Sequence, residues 1–413
     1  MRPAGLADVR CKPRAELTTR TASIAVLICA GLFAACVGSG ADAPTGPAAT
    51  LAACPASLAE PLFNTMPMDV ADFITFRPLG WLSPPIHMFP AKHSAFAMAL
   101  PGQASPKKPF KAPAQVWVAE VWAASFSTGG SDYQIFFYPC KEFRVYIGHI
   151  TTISAKLVAA IATNTPTCNS FNEGTAVVTT CRHVGLSVSF AAGEQIGIGT
   201  DAAGIDFGAV DNRAPPAGFA NIAHYSFDYP YYVSPVRYFT PAVRAIFDAH
   251  TGSVFGTRLR TAAPVEGIYM QDVPGTAQGN WFRPGISYAN NTDMSSALGL
   301  VHDYIDPTEP IVSMGTSVAG LAMGLYAFTP QGGSGTLNRD FSAVVPDGRI
   351  YCFDAFKTGT SAGGVGLAAP HGIVLVSLPT ATTLKIERQG ADGSKCDATT
   401  TYLFTAGATG FER

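Results

Sequence analysis

Short runs in which hydrophobic and polar residues alternate recur along the chain, and Gly, Pro, Asp or Asn bound most of them. Such runs are typical of strands in an antiparallel fold. In the first half the pattern predicts strands at residues 115–122, 133–138, 143–150, 186–190, 195–198 and 205–210. In the second half it predicts strands at residues 349–353, 373–378, 383–389 and 400–404. Residues 154–162 predict a short helix, with Leu157, Val158 and Ile161 on one side and Ser154 as N-cap.

Composition narrows the fold class. Charged residues make up 14% of the 413 residues, against roughly 25% in an average soluble domain. Long surface helices need a charged face and disorder needs high net charge, so coiled coils, helical bundles and disordered chains are excluded. The net charge of −2 offers no electrostatic surface for nucleic acid. We therefore expect a mainly β protein with one β domain at residues 59–247 and a smaller barrel or sandwich at 248–413.

The first 35 residues have the pattern of a leader peptide. Basic residues dominate up to Arg20, and residues 21–35 contain no charge, a run too short to span a bilayer. The run ends in Leu32-Phe33-Ala34-Ala35-Cys36, which resembles the lipobox of bacterial lipoproteins. This resemblance implies acylation of Cys36 and a membrane anchor, whereas the alternative is an ordinary secretory signal cleaved near Ala35. Both place the protein outside the cytoplasm, in the cell envelope or secreted, and residues 36–58 predict a flexible tether.

The cysteines also indicate an oxidising compartment. Beyond the leader and Cys36 the chain contains an even number of cysteines, as expected for disulfides. Six cysteines allow fifteen pairings, and local pairs are the economical choice among them. That choice predicts three pairs: Cys168 with Cys181, Cys352 with Cys396, and Cys54 with Cys140.

Several patches of the first half occur in the order of a known family. They are residues 84–101 (PPIHMFPAKHSAFAMALP), 112–118 (APAQVWV), 145–150 (VYIGHI), 192–199 (AGEQIGIG) and 205–208 (IDFG). In this order they resemble the lysostaphin-like zinc endopeptidases. The resemblance implies a barrel-sandwich domain, the duplicated hybrid motif, and covers roughly residues 76–211, under half of the chain.

The resemblance assigns roles to individual residues. His93 matches the first zinc ligand, and His149 matches one catalytic histidine. The family's ligand Asp, four residues after the first His, is replaced here by Ala97. In the family's closing His-x-His motif, Gly204 stands at the catalytic histidine, and Asp206 replaces the ligand histidine. His93, Asp206 and His149 would still form an acceptable three-ligand zinc site if the fold brings them together; His87 and Asp211 are further candidates.

These replacements favour a noncatalytic, peptidase-like domain that needs no cofactor. We expect it to bind peptidoglycan, another envelope polymer or an envelope protein. The enzyme alternative is a zinc metalloendopeptidase acting on cell-wall peptide cross-links. In that case His93 and Asp206 bind zinc, and His149 stabilises the transition state. A structural envelope protein is the third interpretation.

Overall fold

The computed structural model describes residues 51–413, apart from 85, 101–102, 105, 174–175, 201–203, 255, 289–293, 355, 359–371 and 392. The predicted leader, Cys36 and residues 37–50 of the predicted tether lie outside the described residues. Within them the chain is mainly β, as the sequence predicts, with one large antiparallel sheet and two small ones.

The large sheet contains eleven strands among the described residues, and the six strands predicted for the first half lie on six of them. Its main path runs β1-β2-β10-β6-β5-β4-β8-β7, while β3, β9 and β11 pair beside that path. These strands are β1 (Thr75–Arg77), β2 (Ser94–Ala97), β3 (Lys108–Lys111), β4 (Val116–Phe126), β5 (Ser131–Cys140), β6 (Phe143–Ile153), β7 (Thr167–Glu173), β8 (Ala176–Phe190), β9 (Gln195–Gly199), β10 (Ile205–Asp211) and β11 (Tyr232–Val233).

Apolar residues cover both faces of this sheet. On β10, Phe207 and Ala209 belong to the core on one side, the inner face, whereas Val210 belongs to a separate core on the other side, the outer face. Because successive strand residues point to opposite faces, Asp206 shares the outer face with Val210.

The outer face is covered by segments from both halves of the chain. Tyr225, Tyr229 and Tyr232 come from the aromatic segment after β10, and Phe282 and Met294 come from beyond the predicted boundary at residue 247. Residues of both predicted domains therefore share a single buried cluster on this face.

Among the described residues two short α-helices accompany the sheets: α1 (Ala155–Ala162) and α2 (Pro241–His250). The predicted helix and its cap are confirmed, since the Leu157 N–H donates to Ser154 Oγ at 3.5 Å. Leu157 is buried, but Val158 is 51% exposed, so the apolar side of α1 is narrower than predicted. Short 3-10 turns lie at Val70–Asp72, Ile222–His224, Tyr229–Tyr231, Pro235–Tyr238 and Phe341–Ala343.

The second half contains two small antiparallel sheets that share one core, which includes Trp281, Val312, Val374 and Ile386. One sheet has the order β12-β13-β14-β15-β17 and the other β16-β18-β19-β20. The strands are β12 (Gly279–Trp281), β13 (Leu298–His302), β14 (Pro310–Met314), β15 (Gly324–Phe328), β16 (Tyr351–Phe353), β17 (Phe356–Thr358), β18 (Ile373–Thr380), β19 (Thr383–Gln389) and β20 (Thr409–Glu412).

One predicted strand of the second half is wrong. Residues 400–404 have no strand conformation. Side chains of β19 bond the end of this segment and the residue after it: Gln389 Nε2 donates to Leu403 O at 2.9 Å, and Glu387 Oε2 accepts from the N–H of Thr405 at 2.9 Å. These two bonds use backbone groups that a strand would offer to its neighbour.

The three predicted disulfides are all present. Cys168–Cys181 joins β7 to β8, Cys352–Cys396 joins β16 to the loop after β19, and Cys54–Cys140 ties the start of the described chain to the end of β5. Each closes a loop and so reduces the entropy of the unfolded chain.

Candidate functional site

Four adjacent strands of the large sheet bring the candidate residues together on the outer face. His93 immediately precedes β2, Asp206 lies on β10, His149 on β6 and Asp132 on β5. In the sheet order β2, β10, β6 and β5 are consecutive. Asp206 pairs with Ala95 of β2, and Phe207 pairs with Ile147 of β6, so the register places Asp206 between the two histidines.

The four side chains form a chain of alternating imidazole and carboxylate groups. His93 Nδ1 lies 3.4 Å from Asp206 Oδ1, and His149 Nε2 lies 3.6 Å from Asp206 Oδ2. On its other side His149 Nδ1 lies 3.1 Å from Asp132 Oδ2. The three residues named from sequence, His93, His149 and Asp206, thus meet at one carboxylate. We call these three residues and Asp132 the His–Asp cluster.

A β-bulge directs His149 into the cluster. On β5, Tyr133 and Ile135 are two residues apart, whereas their partners on β6, Ile150 and Ile147, are three residues apart. Both isoleucines face the inner core, and the extra residue leaves Gly148 and His149 between them. His149 adopts φ = +61°, a left-handed conformation that costs a non-glycine residue roughly 1–2 kcal/mol. Strain of this kind is concentrated at functional sites, and bulges there redirect side chains.

Two glycines make room for the cluster. A Cβ at Gly148 would lie 3.3 Å from both Cβ and Oδ2 of Asp206, and a Cβ at Gly208 would clash with the Tyr146 ring. Gly208 therefore lets Tyr146 lie flat against β10, while Gly148 lets Asp206 approach β6. A larger residue at either position would displace the aspartate or the tyrosine.

Aromatic rings form a wall beside His93. Its ring centroid lies 5.1 Å from that of His87, 5.6 Å from Trp81 and 6.1 Å from Tyr146. The guanidinium of Arg77 stacks on this wall, 3.8 Å from the Trp81 ring. His87, a further candidate from the sequence, therefore belongs to the wall of the site.

Burial shifts the pKa of the histidines and the tyrosine in this wall. It lowers the pKa of His93, although Asp206 and the Ser94 carbonyl oppose this effect. Burial also lowers the pKa of His87 well below its ordinary value, and the positive charges of Arg77 and Lys92 act in the same direction. The pKa of the Tyr146 phenol is raised well above its usual range, chiefly by burial. Both histidines are neutral at pH 7, and the phenol keeps its proton.

Asp206 is the most accessible member of the cluster. Its side chain is 20% exposed, against 12% for His149 and 7% for His93. A ligand can therefore reach the shared carboxylate while most of the two rings stays shielded from water. Shielding of this kind strengthens hydrogen bonds and ion pairs made at the carboxylate.

The arrangement does not fit the zinc site that the family resemblance implies. Such a site needs three donor atoms about 2 Å from one point. Across the described part of the chain, no group of three or more His, Cys, Asp and Glu side chains has the arrangement of a metal site. His93 Nδ1, the ring atom facing Asp206, also lies 3.2 Å from Ser94 O. Donation of its proton to that carbonyl leaves no lone pair on Nδ1 for a metal.

The two replaced positions of the resemblance have structural roles. Ala97 is fully buried and pairs with Thr75 of β1. Gly204 has φ = +101°, and a Cβ there would lie 1.9 Å from Phe96 O, so no histidine fits at this position. Asp211 is also buried away from the cluster and binds Arg213 and Tyr238.

Asp132 is the cluster member that the sequence did not reveal. It follows Gly129 and Gly130 at the start of β5, where an aspartate is typical of an ordinary turn. Only the pairing of β5 with β6 places it beside His149.

Comparison with protein-family models, curated proteins and solved structures finds no match to this chain, so the family resemblance rests on the sequence motifs alone.

Within the described residues, no helix has the length and apolar character needed to span a membrane.

The backbone strain at His149 predicts that glycine is more stable than alanine at this position, the reverse of their order in a regular strand. We expect the His149→Gly variant to be more stable than His149→Ala by about 1 kcal/mol, because only glycine adopts a positive φ without cost. Both variants lose the same imidazole, so their difference isolates the backbone. Urea unfolding of the two proteins measures it.

Thr180 on β8 provides the matched control, since it lies in a regular stretch of strand and pairs with Ala124 and Asn169. There the glycine variant should be less stable than the alanine variant, by roughly 0.5–1 kcal/mol. The same order at position 149 would show that the left-handed strain is absent.

The neutral histidines predict a loss of stability in mild acid. The pKa of His87 and of His93 is lower in the folded protein than in the unfolded chain, whose histidines titrate near 6.5. Below that pH the unfolded chain binds more protons than the folded protein, so the free energy of unfolding falls as pH falls. Denaturant unfolding from pH 7.5 to pH 5 should show this decline, and a His87→Gln/His93→Gln variant should show a shallower one. An equal slope in the two proteins would contradict the assignment.

Proposed function

We propose that this protein is an envelope lipoprotein, anchored through Cys36, that binds the peptide part of peptidoglycan at the His–Asp cluster without hydrolysing it. The observation that carries the proposal is the placement of Asp206, which two histidines flank and which remains the most exposed group of the cluster. A carboxylate so placed accepts hydrogen bonds from amide N–H groups or an ammonium group. Stem peptides of the cell wall offer both.

The leader and lipobox support the location, because a chain anchored at the envelope meets this polymer at high concentration. Six cysteines form three disulfides, which agrees with an oxidising compartment. The neutral to slightly acidic chain offers no surface for nucleic acid. A lipid anchor of more than one acyl chain would hold the protein firmly at the membrane.

Binding is favoured over hydrolysis by the groups around Asp206. The positions that the related peptidases use for an acidic ligand and a catalytic histidine hold Ala97 and Gly204, and the backbone at Gly204 admits no side chain. His149 is oriented by Asp132 on one ring nitrogen and faces Asp206 with the other. Its Nε2 therefore faces a carboxylate of the protein, 3.6 Å away.

The mature chain, purified in detergent, tests this function by co-sedimentation with isolated peptidoglycan at moderate salt. We expect retention of the wild type and at least a tenfold loss of affinity for Asp206→Asn, which keeps the shape and removes the charge. His183→Ala is the control, because His183 lies on the same sheet and bonds Asn164, outside the cluster. If the wild type is not retained, or if Asp206→Asn binds equally well, the proposal is wrong.

The same samples separate binding from catalysis. We expect no release of new amino groups from the polymer and no stoichiometric zinc in the purified protein. About one zinc per chain that is lost in His93→Ala, together with release of amino groups, would instead identify a zinc peptidase.

A further inference from the structure

A second candidate site lies in the other half of the chain. Between the end of β13, the loop that follows it and the segment that precedes β12 there is a cavity of about 350 Å³, at the lower end of the range for small-ligand sites, roughly 300–1,000 Å³. Its polar lining includes Arg260, Gln271, Asp272, His302 and Asp303. None of these belongs to the His–Asp cluster.

The carboxylates at this cavity are already bonded by the backbone. Asp272 accepts from the N–H groups of Ala220 and Asn280 at 2.9 Å each. Asp303 Oδ1 accepts from the N–H groups of Ile305 at 2.6 Å and Asp306 at 2.9 Å. These bonds occupy acceptor positions that a cationic ligand would otherwise use.

His302 is held by a partner outside the cavity lining. Its Nε2 lies 2.9 Å from Asp340 Oδ2. Burial raises the pKa of Asp340, but the contacts with His302 and with Ser342 lower it to about 2. The pairing holds the ring in one orientation at the cavity wall. Because Nε2 faces Asp340, the other ring nitrogen is the one left to bond a ligand.

Arg260 adds a donor that the protein does not satisfy. Its Nε donates to Pro264 O at 2.9 Å and its Nη1 to Tyr304 O at 2.8 Å. Its Nη2 is buried and has no hydrogen-bond partner among the described residues, although Arg260 is only 3% exposed. Buried donors are almost always bonded, so an unbonded one beside a cavity indicates a polar group missing from it.

Apart from Gln278, the remaining walls are apolar: Ile268, Met270, Val273, Tyr304 and Pro307. A ligand suited to this lining accepts a hydrogen bond from Arg260 Nη2 and is apolar on at least one face. Sugar rings combine these properties, since their hydroxyls lie at the rim and their C–H groups on the faces.

We infer that this cavity binds a neutral saccharide unit the size of a mono- or disaccharide. The inference goes beyond the proposed peptide binding and uses a separate site, so either can fail without the other.

Ligand-observed NMR titration of the mature chain with sugars of one ring type and different charge tests the inference. The probes are N-acetylglucosamine and its neutral disaccharide, with glucuronate as the anion and glucosamine as the cation. We expect saturable binding of the neutral sugars in the millimolar range or tighter, at least tenfold better than of either ion. No saturable binding, or preference for either ion, would overturn the inference.

Two variants and a control assign the binding to the cavity. Ile268→Trp fills the cavity from a side chain that is 46% exposed, and it should weaken binding at least tenfold. Met323→Trp, at a 40% exposed position outside the cavity, should leave affinity unchanged. His302→Ala removes one hydrogen-bonding ring and should also weaken binding about tenfold. Circular dichroism and thermal unfolding check that each variant folds, and undiminished binding by folded Ile268→Trp would contradict the assignment.

Asp206→Asn separates the two sites. It should leave sugar affinity unchanged, and a parallel loss of sugar binding in this variant would place the sugar at the His–Asp cluster and overturn the inference.

Discussion

The extra residue in β6 is the constraint on which the rest of the site depends. Ile147 and Ile150 must both face the inner core, where each is fully buried. A regular strand cannot place residues three apart on the same face, so the intervening pair bulges outward. The core therefore sustains the left-handed backbone at His149, and burial of the two isoleucines, at roughly 1.5–3 kcal/mol each, exceeds the cost of that strain.

The outcome is a cluster in which one carboxylate lies between two imidazoles. The His93 and His149 rings lie 3.4 Å and 3.6 Å from Asp206, and Asp132 lies 3.1 Å from the other nitrogen of His149. Burial lowers the pKa of His93. The cavity in the second half differs, since backbone N–H groups already bond its two carboxylates.

Apolar and alternating runs made the long strands of the first half predictable. β4, β5, β6 and β10 are rich in buried residues, and turn-forming residues bound the runs that predict them. β7 escaped prediction because it forms one edge of the sheet and its residues, Thr167–Glu173, carry little hydrophobic alternation. The segment at 400–404 has the threonine and aromatic residues of a strand, yet side chains of β19 bond its end and the residue after it, contacts that no local pattern reveals.

The candidate site was predictable only in part. His93, His149 and Asp206 were selected by the order of motifs, and the register of four strands then brought them together. Asp132 could not be found, because its role arises only from the pairing of β5 with β6. The bulge was equally hidden, since Ile-Gly-His-Ile reads as ordinary alternation with His149 on the same face as Ile147, the opposite of its actual position.

Asp206 lies between two histidines, and ¹⁵N NMR of the imidazole nitrogens is sensitive to this placement. The spectrum of the wild type is compared with that of Asp206→Asn between pH 5 and pH 8. We expect the His93 and His149 resonances both to shift in the variant. The resonances of three histidines that contact other groups should stay unchanged: His183, His250 and His302. A variant in which the His93 or the His149 resonances do not move would contradict it.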